Sequence, residues 1–377
     1  MNSPDKHLHI ISFAIPYPVD KGYVFDIFYK LEMLCRAGIQ IHLHCFTNNE
    51  TTAPDLDQYC ASVQYYFRNK GHKGVTTHLP YAVSSRKNDD LLNNLLKDDY
   101  PILMEGIPCT YLLTDERFKD RKCIVRLHHI EFRHYRHLAD CAYPLLKKLY
   151  YIMESRSLKK YERAIHTKAL FLAVSQKDAN GYKKELHCNN ISVLPLFLPD
   201  WEVKSKPGTG AYCLYHGDLS LPTNERMAVW LMQSVFKYLP FPLVIAGKNP
   251  TTRLHRIALR NPHVCIIANP GKDELQDVIE KAQLHILPSQ NETGQRLKLL
   301  NALINGRFCI TNFGSVEGTN LLPVCHIANT PAEIKDTVRK LYNKPFTQTD
   351  IDLRKKILSR EYDNEANTRH LVDFIWS

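Results

Sequence analysis

The stretch Leu287-Pro-Ser-Gln-Asn-Glu-Thr-Gly-Gln-Arg-Leu-Lys-Leu-Leu-Asn-Ala-Leu-Ile-Asn-Gly306 decides how this chain is read. It starts where a short apolar run ends, crosses a polar loop that carries Gly294, and opens a helix near Gln295. Backbone N–H groups at a helix start lack partners inside the helix, and the helix dipole adds partial positive charge, so the position favours an anion. Arg296 and Lys298 stand in the first turn, where cations are unfavourable unless an anion is bound. The segment therefore predicts a phosphate-binding helix start. The alternative is an exposed helix start whose long side chains point into water.

Working outward, apolar runs over 211–215, 243–246, 264–267, 284–287 and 308–311 alternate with helical patterns. The first half repeats the grammar, with runs over 8–14, 39–46, 101–105, 123–128, 170–174 and 191–194 and a helix over 25–37 stopped by Gly38. Nearly continuous apolar runs suit strands buried on both faces, and strand–helix–strand alternation predicts parallel sheets. The polar stretch over 199–210, rich in Pro, Gly and Lys, reads as a linker. The expected fold class is α/β, with two Rossmann-like domains, 1–205 and 206–360, facing a central cleft. Ligands of such sheets bind beyond the carboxyl ends of the strands.

Composition sets bounds. A length of 377 residues suits two domains, and 44% hydrophobic with 23% charged residues excludes a disordered chain. The net charge of +10 favours anionic partners, namely nucleotide phosphates, nucleic acid or an acidic membrane, or else only keeps the chain soluble. No apolar run approaches the roughly 20 residues that span a bilayer, and the start lacks a signal core. A cytoplasmic location is expected, with any membrane contact peripheral. Eleven cysteines, none closer than ten residues to the next, give neither metal-finger spacing nor a disulfide framework. His134 and His137 lack a third ligand at diagnostic spacing, so no metal site is expected. The stretch over 143–165 reads as a core helix with a solvated basic face, although a helix lying on an anionic membrane has the same pattern.

Five motifs, in order, carry a family resemblance. Gly-Gln-Arg-Leu-Lys at 294–298, followed by Asn-Ala-Leu-Ile-Asn-Gly at 301–306, resembles the donor-binding segment of GT-B glycosyltransferases related to glycosyltransferase family 4, the glycosyl transferases group 1. Many of those carry Gly-Thr-Arg-Leu-Lys and then Glu-Ala-Leu-Ala-x-Gly. Gly-Ser-Val-Glu-Gly at 314–318 resembles the family's Gly-x-x-Glu-Gly. Leu-His-His-Ile-Glu at 127–131 resembles its Leu-His-Asn-x-Glu, and His216-Gly-Asp-Leu-Ser-Leu-Pro-Thr-Asn-Glu225 resembles its Gly-x-Leu-x-x-x-Pro-Asn-x-Glu. Ile-Pro-Tyr-Pro-Val-Asp-Lys-Gly at 15–22 resembles its Pro-x-x-x-Gly-Gly loop, with Gly22 kept and Lys21 at the other glycine.

The resemblance implies a GT-B fold, a nucleotide-diphosphate sugar as donor, no resident cofactor and no catalytic metal. It implies that Arg296 and Lys298 neutralise the diphosphate, that His128 lies near the transferred sugar, and that Gly22, Gly217, Thr293, Gly294, Asn301 and Glu317 line the donor site. It also implies retention at the anomeric carbon, a glycan or lipid-linked hydroxyl acceptor, and a last helix, 361–377, that crosses back to the first domain. Two departures stand out. Asn301 replaces a glutamate that grips the nucleotide ribose. The loop after Gly217 offers Asp218 where relatives place Arg and Lys, so Arg296 and Lys298 must carry more phosphate charge. Asn301 keeps open a non-catalytic protein that binds a sugar nucleotide or glycan as a partner subunit. A nucleotide-sugar epimerase is a further alternative. Nucleic-acid binding rests on charge alone and is not expected.

Overall fold

The computed structural model describes residues 6–19, 22–76, 78–142, 145–199, 202–289 and 297–377. The first half forms a parallel sheet from β1 (His7–Ser12), β2 (Gln40–Thr47), β3 (Ser62–Phe67), β4 (Ile102–Glu105), β5 (Cys123–Leu127), β6 (Leu170–Ala173) and β7 (Ile191–Val193), in the order β3-β2-β1-β4-β5-β6-β7. Its helices are α1 (Gly22–Arg36), α2 (Tyr81–Ser84), α3 (Asp89–Leu95), α4 (Glu131–Cys141), α5 (Leu145–Ile165) and α6 (Gln176–Leu186). The second half forms a parallel sheet from β8 (Cys213–His216), β9 (Leu243–Gly247), β10 (Val264–Ala268), β11 (Leu284–Ile286), β12 (Phe308–Thr311) and β13 (His326–Ile327), in the order β10-β9-β8-β11-β12-β13. Around it run α7 (Pro222–Trp230), α8 (Thr252–Ala258), α9 (Lys272–Lys281), α10 (Leu297–Asn305), α11 (Phe313–Val316), α12 (Pro331–Leu341) and α13 (Gln348–Glu361), and α14 (Asn364–Trp376) follows them.

The central strands are buried on both faces, which is why their sequences are almost wholly apolar: every residue of β4, β5, β8, β9 and β12 is buried. In each sheet the strand order reverses once, between β1 and β4 and again between β8 and β11. Crevices open at such switch points beyond the carboxyl ends of the strands. In the first sheet the crevice is bounded by the segment after Ser12 and by Glu105. In the second it is bounded by Gly217 and the segment after Ile286.

The C-terminal helix belongs structurally to the first sheet. Leu371 and Ile375 of α14 sit in one apolar cluster with Leu8, Ile10, Phe28, Leu31 and Leu103. Fully burying an aliphatic side chain contributes about 1.5–3 kcal/mol. The stretch read as a linker is fastened over its described part: Lys204 and Ser205 both donate their N–H to the Ile304 carbonyl, at 2.8 and 3.0 Å.

Candidate active site

The first crevice rests on a buried charge network. Asp26 and Lys30 lie one turn apart on α1, facing the sheet rather than water, with 3% and 1% of their surface exposed. Lys30 Nζ donates to Asp26 Oδ2 at 3.1 Å and to Glu105 Oε1 at 2.7 Å. Arg126, from β5, donates Nε to Asp26 Oδ2 at 2.9 Å and Nη2 to Asp26 Oδ1 at 3.1 Å. Its remaining donors go to the carbonyls of Leu194 and Pro195. Burial alone would raise the Asp26 carboxyl; the Arg126 and Lys30 cations outweigh it and hold the group ionised, well below its ordinary value. Glu105 behaves alike: burial pushes it up, and Lys30 with the His128 hydrogen bond brings it down further.

His128 follows β5 directly. Its Nε2 meets Glu105 Oε2 at 2.9 Å, and its Nδ1 lies 3.8 Å from Asp26 Oδ2. The Phe13 ring packs edge-on against it at 5.8 Å. The imidazole is thus held by Glu105, Glu105 by Lys30, and Lys30 by Asp26. Asp26, Glu105 and His128 bring ligand-type atoms within 4.8 Å of one another, the spacing of a metal triad. Their oxygens, however, already face an ammonium and a guanidinium, against which a divalent cation would be repelled. The set is chemically an ion-pair network that orients a histidine. His134, singled out by its spacing with His137, is half-buried, its ring 4.4 Å from that of His129, and its pKa is pressed down to about 3 by desolvation and by His129.

The second crevice is shaped by glycine. Gly217 follows β8 with φ +154°, and a Cβ there would stand 2.7 Å from Lys298 Nζ. A Cβ on Gly247 would collide with the Gly217 carbonyl oxygen. Only two glycines allow these strand ends to meet. Lys298, in the first turn of α10, reaches across to donate to Asn224 Oδ1 at 2.8 Å, and its Nζ stands 5.1 Å from the Tyr215 ring centroid. Asn224 in turn donates to the Asp218 carbonyl at 2.8 Å. Leu221 occupies the cap of α7, without a side-chain bond. The cation missing after Gly217 in the sequence is supplied here from α10. Next to it, His216 is buried and kept neutral, its pKa lowered to about 3 by burial and by Lys298.

The other expected residues are spread between these centres. Gly22 is the first residue of α1. Asn301 accepts the side-chain amide of Asn305 at 2.6 Å, within α10. Glu317 reaches Lys177 of α6 at 2.9 Å and so bridges the two halves of the chain. Thr293, Gly294 and Arg296 lie outside the described residues. The sequence reading missed Asp26, Lys30, Glu105 and Lys177. A signal existed for three of them: Glu105 closes an apolar strand, and Asp26 with Lys30 is a charge pair at helical spacing inside an otherwise apolar helix face.

With this geometry in place, comparison with known proteins is informative. Residues 210–344 match the family described as glycosyl transferases group 1. Sucrose-phosphate synthase from Thermosynechococcus elongatus superposes with a TM-score of 0.70, at 12% identity over 98% of both chains. This is a GT-B fold whose second half matches the glycosyl transferases group 1. HepE of Anabaena, solved in complex with UDP and glucose, has the same GT-B architecture, with a TM-score of 0.65 and 12% identity over 97% of this chain and 98% of that one. An uncharacterized 44.6 kDa protein in the cps region of Klebsiella pneumoniae is 24% identical over 332 residues, 82% of this chain and 84% of the relative. The matched span of this GT-B protein contains Gly217, Lys298, Asn301 and Glu317. His128 and its network lie outside it.

Proposed function

We propose that this chain transfers a sugar from a nucleotide-diphosphate sugar to a hydroxyl of a glycan or lipid-linked acceptor, with retention of anomeric configuration. The observation that carries the proposal is Lys298 Nζ placed against Gly217, at the switch point of the second sheet and beside the first turn of α10. When the glycosidic bond to the donor breaks, negative charge grows on the departing diphosphate. An ammonium in the first turn of a helix, held in place by Asn224, stabilises it without reorganisation. Arg296 is assigned the same task. Gly217 gives the diphosphate room at the backbone. No resident cofactor or metal is needed in this scheme, because cations of the chain meet the leaving-group charge. His128, held by Glu105, faces the other crevice and is assigned to the transferred sugar. The uncharacterized Klebsiella relative in a cps region supports a polysaccharide as the eventual product.

Asn301 favours a second reading. Its amide oxygen is taken by Asn305, and it lacks the charge that a glutamate would offer to ribose hydroxyls. A non-catalytic subunit that binds a sugar nucleotide would tolerate that loss. The test is turnover of a panel of UDP-, GDP- and ADP-sugars by the purified protein, with glycan and lipid-linked acceptors, products being read by mass spectrometry and anomeric NMR. Transfer with retained configuration is expected. Nucleotide binding with neither transfer nor slow hydrolysis would establish the second reading instead. Donor conversion without acceptor would point to an epimerase.

A further inference from the structure

The first half of α5 departs from the expectation of a core helix. Leu158, Tyr161 and Ile165 in its second half are buried. In its first half Leu145, Leu146 and Met153 are exposed over 70%, 82% and 69% of their surface, and Leu149 and Tyr150 over 47% and 40%. Five large apolar side chains within nine residues thus face outward on one helix segment. Exposed apolar residues scattered singly need no explanation, whereas a contiguous patch marks an interaction surface.

The charges around the patch carry one sign. Lys147, Lys148, Arg156, Lys160 and Arg163 of α5 are exposed. The two acids of α5, Glu154 and Glu162, are buried. Glu154 accepts the backbone N–H groups of Tyr81 and Ala82 at 3.1 and 2.7 Å, which fastens the start of α2 to this helix. The stretch around Gly71, whose N–H donates to Tyr81 Oη at 3.1 Å, adds Lys70, Lys73 and Val75, all exposed, the last over 65% of its surface. On α4, which packs along α5, exposed Asp140 already faces Arg136 at 3.9 Å.

We infer that the first half of α5, with the adjoining Lys70–Val75 loop, docks this chain on an anionic lipid bilayer. Apolar side chains on the outer face enter the headgroup–acyl boundary, and the lysines meet lipid phosphates. A second copy of the chain fits poorly, because pairing two such faces would oppose lysine rows with no exposed acid on α5 to answer them. No helix among the described residues is long and apolar enough to cross a membrane, so the contact is interfacial. Docking stands independently of sugar transfer; only its use, to bring the crevice to a lipid-linked acceptor, rests on the proposed function.

The experiment is sedimentation of the full chain with vesicles of phosphatidylcholine alone, or with an equal part of phosphatidylglycerol. Binding to the anionic vesicles, weakened by salt, is expected. Lys147→Glu with Lys148→Glu should lower partitioning by more than about tenfold. Leu146→Ser with Met153→Ser should lower it on the same vesicles, while nucleotide binding stays unchanged in both variants, which also reports that they fold. Equal binding to both vesicle types, binding to neither, or variants that partition like the parent would overturn the inference. So would a dimer, seen by analytical ultracentrifugation, that the leucine and methionine changes abolish. Transfer by a parent chain that binds no vesicle counts against docking alone, and vesicle binding by a parent chain that transfers no sugar counts against the enzyme reading alone.

Discussion

Asp26 accepts from Arg126, Lys30 and the Phe197 backbone, so it is the node on which the orientation of His128 depends. Removing one partner from a buried ion pair leaves an uncompensated charge, at a cost of about 3–5 kcal/mol. Asp26→Asn should therefore lower stability by roughly that amount in denaturant titration. A change of under about 1 kcal/mol would show that the network is solvated, contrary to its burial. Lys298→Ala tests the other crevice. A hydrogen bond to a charged group contributes about 1.5–3 kcal/mol, so affinity for a nucleoside diphosphate should fall roughly 10- to 100-fold by calorimetry, with nucleoside affinity nearly unchanged. Equal losses for both ligands would remove the phosphate assignment. His128→Ala should cut transfer by about 100-fold or more while leaving nucleotide binding intact; parallel losses would make His128 a donor-binding or structural residue instead. At this scale the sequence singled out Lys298 by its place in a helix start and His128 by its motif resemblance. It hid the partner of each, since Glu105 is 23 residues from His128 and Asn224 is 74 residues from Lys298.

Elements were legible where burial dictates composition. The central strands are apolar but for single residues such as Glu105, Arg126 and His216, and could be read directly. The edge strands β3 and β13 were not read, because partly exposed strands such as Ser-Val-Gln-Tyr-Tyr-Phe carry polar residues and resemble loops. The first half of α5 misled for the complementary reason: apolar residues at helical spacing signify a buried face only if something covers them. The joint between the halves was equally hidden. There, Gly318 adopts φ +76°, and a Cβ on it would stand 2.5 Å from the Lys177 backbone nitrogen at the start of α6. Glu317, 45% exposed, pairs with the Lys177 side chain. A half-exposed ion pair contributes less than about 1 kcal/mol, whereas a non-glycine residue in the left-handed region costs about 1–2 kcal/mol before any clash. Gly318→Ala should thus destabilise the chain more than Lys177→Ala does in thermal unfolding. The reverse order would mean that the ion pair, not the backbone approach, joins the halves.

At the scale of the whole molecule, burial of histidine sets an acid limit. His44, His134 and His216 all have pKa values lowered to about 3, burial being the largest cause in each. His9 and His42 are lowered as well, on the same sheet face, where His9 meets His44 at 2.9 Å and His7 meets His42 at 3.1 Å. Below the ordinary histidine value of about 6.5 the unfolded chain takes up protons that the native chain refuses, so stability is full above that pH and falls as pH drops below it. Each such residue contributes a slope of up to about 1.4 kcal/mol per pH unit. The depressed carboxyls of Asp26 and Glu105 add their own loss only below about pH 4.5, where the unfolded chain's carboxylates begin to protonate. Over the interval from about pH 6.5 to 4.5 the several lowered histidines outweigh Glu162 and Glu154, whose carboxyls burial pushes up and which act in the opposite sense. Melting temperature should fall steeply across that interval, and His216→Leu should make the fall shallower. Among the described residues the buried Nε2 of His216 has no hydrogen-bond partner, so that replacement removes a titrating group without breaking a bond at that nitrogen. A profile that stays flat down to about pH 4.5, or one with the same slope in the variant, would mean that these rings protonate in place and that water reaches the cores of both sheets.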